Sequence, residues 1–574
     1  MSRSTRPSVW APFPRRVELV SGGARREMER RDDNWWFADA ELPPGSDYAF
    51  SLDGGDPLPD PRSPWQPSGV DGPSRTVDHA AFAWTDAGWS APALADAVIY
   101  ELHVGTFTPA GTFEAVIERL DELVELGITH VELMPVVEFS GARGWGYDGV
   151  DLYAPHHAYG GPDGLKRLVD AAHERGLAVL LDVVYNHLGP AGNYLGRFGP
   201  YFSAKYATPW GDAVNFDEAG SHEVRRFVVD NALMWMRDYH ADGLRLDAMQ
   251  AIFDMSAIHI GEEIATATHR LAGEVGRRLV VTAESDLNDP RLVRPIELGG
   301  YGMDAAWADD LHHALHAALT GEATGYYADF ADPSLVATGL ADPYLYAGGY
   351  SAYRDRSHGR PAGDLPGDRF IACIQNHDQV GNRARGDRLG HLASEGRARI
   401  GAALLLTAPY VPLLFAGEEW NASTPFQYFT DHADPELGRA VSEGRRAEFA
   451  AFGWDPSRIP DPQDAATFEA SKLRWDERAA DPHAAMLGWY RELIALRRSI
   501  PQLRDGNRGA VGVEGRADGL LTVRRGPVQV AVNLGATPAE AIVEGVPRLC
   551  WPGDLAPDGG SVSLPPDGVM IAVR

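Results

Sequence analysis

Residues 177–187 read LAVLLDVVYNH, an apolar run broken once by Asp182 and ended by Asn186 and His187. Nothing in the run alternates with polar residues, and it is too short for a buried helix. It therefore reads as a strand covered on both faces. Upstream, Leu165, Leu168, Val169 and Ala172 fall on one helical face that closes near Gly176, after a loop through Tyr153. Before that loop ITHVELMPV (128–136) is a second buried strand. It is preceded by helical spacing at Phe113, Val116, Ile117 and Leu120, with Gly127 placed to stop the helix. Counting 98–102, 128–133, 177–184, 243–247, 279–284, 302–307, 370–375 and 411–415, the chain holds eight such strands.

Eight buried strands with helices between them predict an α/β fold, a (β/α)8 TIM barrel with insertions, over 96–499. Residues 1–95 are rich in Pro, Gly and Trp, with short apolar runs between turn signals (PPGSD, DGGDP), and predict an N-terminal β-sandwich. The run Asn34-Trp35-Trp36-Phe37 reads as sandwich core, with a glycan platform as the second reading. Segments 520–524, 528–532 and 569–573 predict a C-terminal antiparallel β domain over 500–574.

In 574 residues, 81 acids against 52 bases leave a net charge of −29, a field that repels phosphate backbones and anionic lipid. Neither nucleic acid nor membrane is an expected partner. The run IGAALLLTAPYVPLLFAG (400–417) raises the membrane question, but Pro409 and Pro412 divide it into a short helix and a short strand. No apolar stretch follows the basic MSRSTRPSVW start, so no secretory leader is read. Cys373 and Cys550 lie far apart without metal-ligand spacing, which fits a cytoplasmic protein with neither disulfides nor structural zinc.

In such a barrel the C-terminal strand ends face the active site. Four polar clusters stand there: DVVYNH (182–187), GLRLDA (243–248), VVTAES (280–285) and IQNHDQ (374–379). A lone carboxylate would read as an ion pair, but Asp247, Glu284 and Asp378 all reach one rim. Arg245 and Asp247 point to the same face, so a guanidinium sits beside a carboxylate, with Asp182 orienting the arginine. Glu284 emerges from an apolar run that favours its protonated form. One charged and one protonated carboxyl suit retaining glycoside hydrolysis.

In order and spacing, the four clusters resemble the signature regions of the α-amylase family of glycoside hydrolases, family 13. The resemblance implies that Asp247 is the nucleophile, Glu284 the general acid/base and Asp378 the third acid, which holds the distorted sugar. It places Arg245, His187 and His377 against that sugar, Asn376 and Gln379 beside it, and Tyr147 of GWGYDGVDLY beneath it. Longer strings (SGARGWGYDGVDLYAPHHAYGGPDG from Ser140, WADDLHHALHAALTGE from Trp307, GEEWNASTPFQYFTDH from Gly417) resemble the branch of the family that releases trehalose from maltooligosyltrehalose. That branch implies a neutral α-glucan substrate. Gln250 stands where many relatives have His, and Ser285 where they have Asn; both fall in flanking sugar subsites. Glycogen branching and debranching use the same carboxylates, and a non-catalytic glycan-binding barrel is the alternative of another class. Oligomeric state is not legible.

Other groups carry two readings each. Asp309, Asp310, His312 and His313 are candidates for sugar hydroxyl contacts or for a structural helix start, with spacing that argues against a metal. Glu419 and Trp420 suit a sugar stacked on an indole beside an acid, or buried structure. Residues 426–432 are a candidate wall on the acceptor side. Asn186, a calcium ligand in some members of the family, has no carboxylate-rich loop to complete such a site. No required metal or cofactor is expected.

Overall fold

The computed structural model describes residues 6–450, 459–553 and 555–574. The eight runs form β1 (Ile99–Leu102), β2 (His130–Leu133), β3 (Ala178–Val183), β4 (Gly243–Leu246), β5 (Val280–Ala283), β6 (Ala305–Trp307), β7 (Phe370–Cys373) and β8 (Val411–Phe415). They pair in parallel in chain order, and β8 closes the barrel against β1. Every residue of the eight strands is buried, since helices cover the outside and side chains fill the inside. That double burial is why the runs lack polar alternation.

Two local expectations change. The helix expected over 113–126 is two helices, Phe113–Ile117 capped by Thr112 and Leu120–Leu126. Gly127, at φ 98°, ends the second and donates to the carbonyls of Leu123 and Val124. The loop expected through Tyr153 is partly a strand, Asp151–Pro155 paired with Val137–Glu138. Tyr153 is buried there and donates its hydroxyl to the Phe227 carbonyl at 2.6 Å. A two-residue partner strand leaves no periodicity to read. The 400–417 run divides into the end of helix Glu395–Thr407 and β8. No helix among the described residues is long and apolar enough to cross a membrane.

N-terminal to the barrel lie a three-stranded and a five-stranded antiparallel sheet. Trp36 is buried in this packing and donates to the Ala11 carbonyl at 2.9 Å, so it is core, whereas Phe37 is half-buried and lines a pocket together with Trp35. After the helix His483–Ser499 comes a five-stranded antiparallel sheet that includes Leu520–Arg525, Val528–Asn533 and Val569–Val573. The register that builds the site lies in β3 to β5, where Asp182 is opposite Arg245 and Arg245 opposite Thr282. The ladder continues past the strand ends, with Asp247 N–H donating to Val183 O at 3.0 Å and Glu284 N–H to Leu246 O at 2.9 Å. Both acids are therefore fixed by backbone at the barrel mouth.

Candidate active site

Arg245 is the hub of the mouth. It is fully buried, with its guanidinium 4.4 Å from the centre of the Trp307 ring. Nη1 donates to Asp182 at 2.7 Å and to Asp247 at 2.8 Å, while Nη2 lies 3.4 Å from Glu284. Burial alone would favour a neutral arginine, but Asp182, Tyr147, Asp247 and Glu284 outweigh it and keep the charge. One guanidinium touching two carboxyls keeps them within the ~5–9 Å over which such a pair can flank a glycosidic bond. Asp247 also accepts from Asn186 Nδ2 at 2.7 Å, so both its oxygens are held.

Glu284 accepts from the backbone N–H of Ala248 at 2.7 Å. Ala248 has φ 40°, a left-handed conformation that costs a non-glycine residue about 1 kcal/mol or more and here turns its N–H toward the acid. Burial lifts Glu284 to about 8 against the pull of Arg245, helped by the charges of Asp247, Asp378 and Asp309. At neutral pH this carboxyl carries a proton. Asp378 is the most open of the three acids; it accepts from Asn382 Nδ2 at 3.0 Å and lies 3.6 Å from His377 Nε2.

Tyr147 reaches the mouth on the loop between the strands Val137–Glu138 and Asp151–Pro155. Only glycine fits just before it, because Gly146 has φ 94° and a Cβ there would lie 2.5 Å from the Pro135 carbonyl. The Tyr147 hydroxyl donates to Asp182 at 2.5 Å, meets His377 Nε2 at 2.7 Å, and its ring stacks on the imidazole. His377 in turn pairs through Nδ1 with Glu101 of β1, which also accepts the His377 backbone N–H at 2.9 Å. Burial pushes His377 down, but Glu101 and then Asp378 raise it to about 9. His187 bonds Asn186 and stacks on Trp210, at the tip of the hairpin formed by Phe202–Thr208 and Gly211–Val214, with ring centres 4.3 Å apart. Beside the acids opens a cleft of about 670 Å³ that includes Gln250 and Ser285, with Tyr206 stacked on Phe253 and Tyr301 on His259. The Gln250 amide oxygen is buried without a hydrogen-bond partner.

Residues 77–199 match the family model of the alpha amylase catalytic domain. Malto-oligosyltrehalose trehalohydrolase of Arthrobacter ramosus is 52% identical, the alignment covering 92% of this chain and 93% of the relative. The chain belongs to the malto-oligosyltrehalose trehalohydrolase family. The relative of that name from Rhizobium sp. (strain M-11) is 49% identical over 97% of this chain and 96% of its own. A solved Salmonella typhimurium chain assigned to the α-amylases superposes with TM-score 0.91 at 40% identity, covering 99% of this chain and 97% of that one. The protein is a glycoside hydrolase of the α-amylase family on a TIM barrel.

Several expected sugar contacts are placed otherwise. Trp420 is fully buried, its indole N–H donating to Glu477 at 3.0 Å, and Glu419 accepts from the Tyr100 hydroxyl at 3.0 Å and from Gly417 N–H at 3.1 Å. Both lie in the packing beneath the rim and present no face to a sugar. Asp310 accepts from Asn288 Nδ2 and from the N–H groups of Leu345 and Tyr346, pinning a loop. His312 is buried between the Ile374 carbonyl and the Tyr327 hydroxyl, and His313 packs among Tyr326, Tyr327 and Phe330. Asp310 and His312 are tied into the packing, while His313 is partly exposed with Nδ1 unpaired; Asp309, half-buried and lifted to about 7 by burial and by Asp378, is the member of the group that shares the acids' field. Asn376 caps the helix His377–Gly381 by accepting Gln379 N–H at 2.8 Å, so it orients the histidine and acid that follow. Phe426 and Phe429 are buried, Phe426 stacked on Trp145, and brace the Tyr147 loop from behind.

Sequence reasoning missed Glu101, Trp307, Trp210 and the bond from Asn186 to Asp247. It also missed Glu132 of β2, register partner of Glu101, whose buried carboxyl has no hydrogen-bond partner and is pushed well up by burial and by Glu101. An acid inside an apolar strand was the available signal for both glutamates.

Proposed function

We propose that the protein hydrolyses, with retention, the α-1,4-glucosidic bond next to the terminal trehalose of maltooligosyltrehalose and releases trehalose. Glu284 gives its proton to the leaving oxygen while the Asp247 carboxylate attacks the anomeric carbon, forming a covalent glycosyl-enzyme. Glu284, now ionised, takes a proton from water, whose oxygen displaces Asp247 and frees the maltooligosaccharide. Asp378 and His377 grip ring hydroxyls as positive charge develops on the sugar, and Tyr147 with Arg245 fixes the floor beneath it. The observation that carries this reading is the single Arg245 guanidinium lying 2.8 Å from Asp247 and 3.4 Å from Glu284, and burial that pushes the Glu284 carboxyl up to about 8 supports its role as the acid. The cleft beside Gln250 and Ser285 receives sugars flanking the cleaved bond. Both cysteines are unpaired, which fits action in the cytoplasm.

The test is product analysis with one defined trehalose-ended maltooligosaccharide and, separately, with amylose. Free trehalose from the first supports the assignment. New α-1,6 branches from the second, with no trehalose from the first, would establish glycogen branching in its place.

A further inference from the structure

Behind the Tyr147 loop lies a second cluster of polar side chains that the chemistry above does not use. Glu138 ends the strand Val137–Glu138, and His156 and His157 directly follow the partner strand Asp151–Pro155, so all three sit at the neck of the loop. Among the described residues this is the one group of three metal-type side chains whose donor atoms all lie within 4.8 Å of one another. Glu138 and His156 are fully buried. Glu138 Oε1 lies 2.6 Å from His157 Nδ1, and Oε2 lies 3.2 Å from His156 Nδ1.

Within the cluster Glu138 is satisfied, accepting the His157 backbone N–H at 2.8 Å as well as facing His157 Nδ1, but His156 is not. Neither ring nitrogen of His156 makes a hydrogen bond, although its ring is packed against Phe139 with centres 3.9 Å apart. Asp151, register partner of Glu138, keeps Oδ2 buried without a partner as well. Buried polar atoms are nearly always paired, so a fully buried imidazole with both nitrogens unpaired calls for a missing partner. Two imidazoles and a carboxylate form a donor set suited to a borderline divalent cation.

We propose that Glu138, His156 and His157 bind a divalent transition metal of the zinc class, which ties the two ends of the Tyr147 loop together. The ion would take His156 and His157 through their Nδ1 atoms and Glu138 through its carboxylate, leaving one position for water or Asp151. Its role is structural: it holds the neck of a loop whose tip delivers Tyr147, and it takes no part in bond cleavage. The proposal stands apart from the substrate assignment, because binding is read without turnover.

The experiment is titration of chelator-treated full-length protein with Co²⁺, followed by visible absorption, and with Zn²⁺, followed by calorimetry. The expected result is one equivalent of Co²⁺ giving a ligand-field band that one equivalent of Zn²⁺ removes, with a rise in thermal midpoint on Zn²⁺ addition. Glu138→Gln, which keeps the shape, and His157→Asn, at the half-exposed position, should each weaken binding by ~10–100-fold or more. Absence of stoichiometric binding to the wild-type chain overturns the proposal. Equal binding by wild type and Glu138→Gln also overturns it, since the ion would then sit on other histidines. If His157→Asn fails to fold, the isosteric glutamine variant still decides.

Discussion

Glu101→Gln removes one charge from beneath the site and leaves the shape. The Tyr147 hydroxyl gives its proton to Asp182 at 2.5 Å, so the proton between Tyr147 and His377 Nε2 comes from the histidine. His377 Nδ1 faces the Glu101 carboxylate, so both ring nitrogens carry hydrogen and the ring is an imidazolium. A rise from 6.5 to about 9 is worth about 3–4 kcal/mol at roughly 1.4 kcal/mol per pH unit. Because the folded value is the raised one, this stabilisation is complete below about 6.5 and is lost as pH climbs through about 9. In the glutamine variant His377 loses the charge that raises it most, burial acts against the remaining fields of Asp378 and Asp182, and the ring is expected to be neutral at pH 7. Wild type should therefore melt several degrees above Glu101→Gln near pH 6, with the gap closing by about pH 10. At pH 7 kcat/KM should fall ~10–100-fold, since a neutral imidazole draws the Tyr147 proton away from Asp182. Scanning calorimetry and kcat/KM across that pH range, on both proteins, make the measurement. Parallel melting and activity profiles would refute the imidazolium and with it the role given to Glu101.

Other substitutions separate chemistry from packing. Asp247→Ala should abolish turnover by about 10⁴-fold or more while the protein still folds, and retained activity in a folded variant removes the nucleophile assignment. Glu284 held near 8 must be protonated to act, so kcat/KM should decline about tenfold per pH unit above that value; a flat alkaline limb to pH 9.5 contradicts it. The same group, raised in the folded state, stops favouring the fold as pH passes about 8. Tyr147→Phe should keep the stacked ring and lose roughly tenfold in kcat/KM through the broken link between Asp182 and His377, measured against unchanged circular dichroism. Trp420→Ala should cost about 3–5 kcal/mol of stability and leave KM unaltered in the folded protein, whereas a raised KM would return the indole to the sugar site.

Much of the architecture was written in local pattern. Runs such as 177–187 are apolar throughout because a barrel strand is buried on both faces, and burial is a property each residue carries by itself. The three acids were legible for a related reason: each interrupts or ends an apolar run, and a polar group in that position has to face a cavity or a partner. Short pairing left no such trace, which is why the strand through Tyr153 read as loop.

Chemistry also separates along that line. Residue type and position in the chain made Asp247, Glu284 and Asp378 candidates, but which carboxyl keeps its proton depends on the guanidinium and the depth of burial around it. Glu101 and His377 are 276 residues apart and meet only because the closed barrel sets the end of β1 near the end of β7. Trp420 shows the converse: next to acids at a strand end it reads as a sugar platform, yet closure turns it inward onto Glu477. Sequence by itself determined which segments are buried and where polar groups break out of them, since those follow from hydrophobicity and period along one chain. Tertiary structure alone decided which polar groups share a field, because electrostatic coupling falls with distance in space and takes no account of separation along the chain.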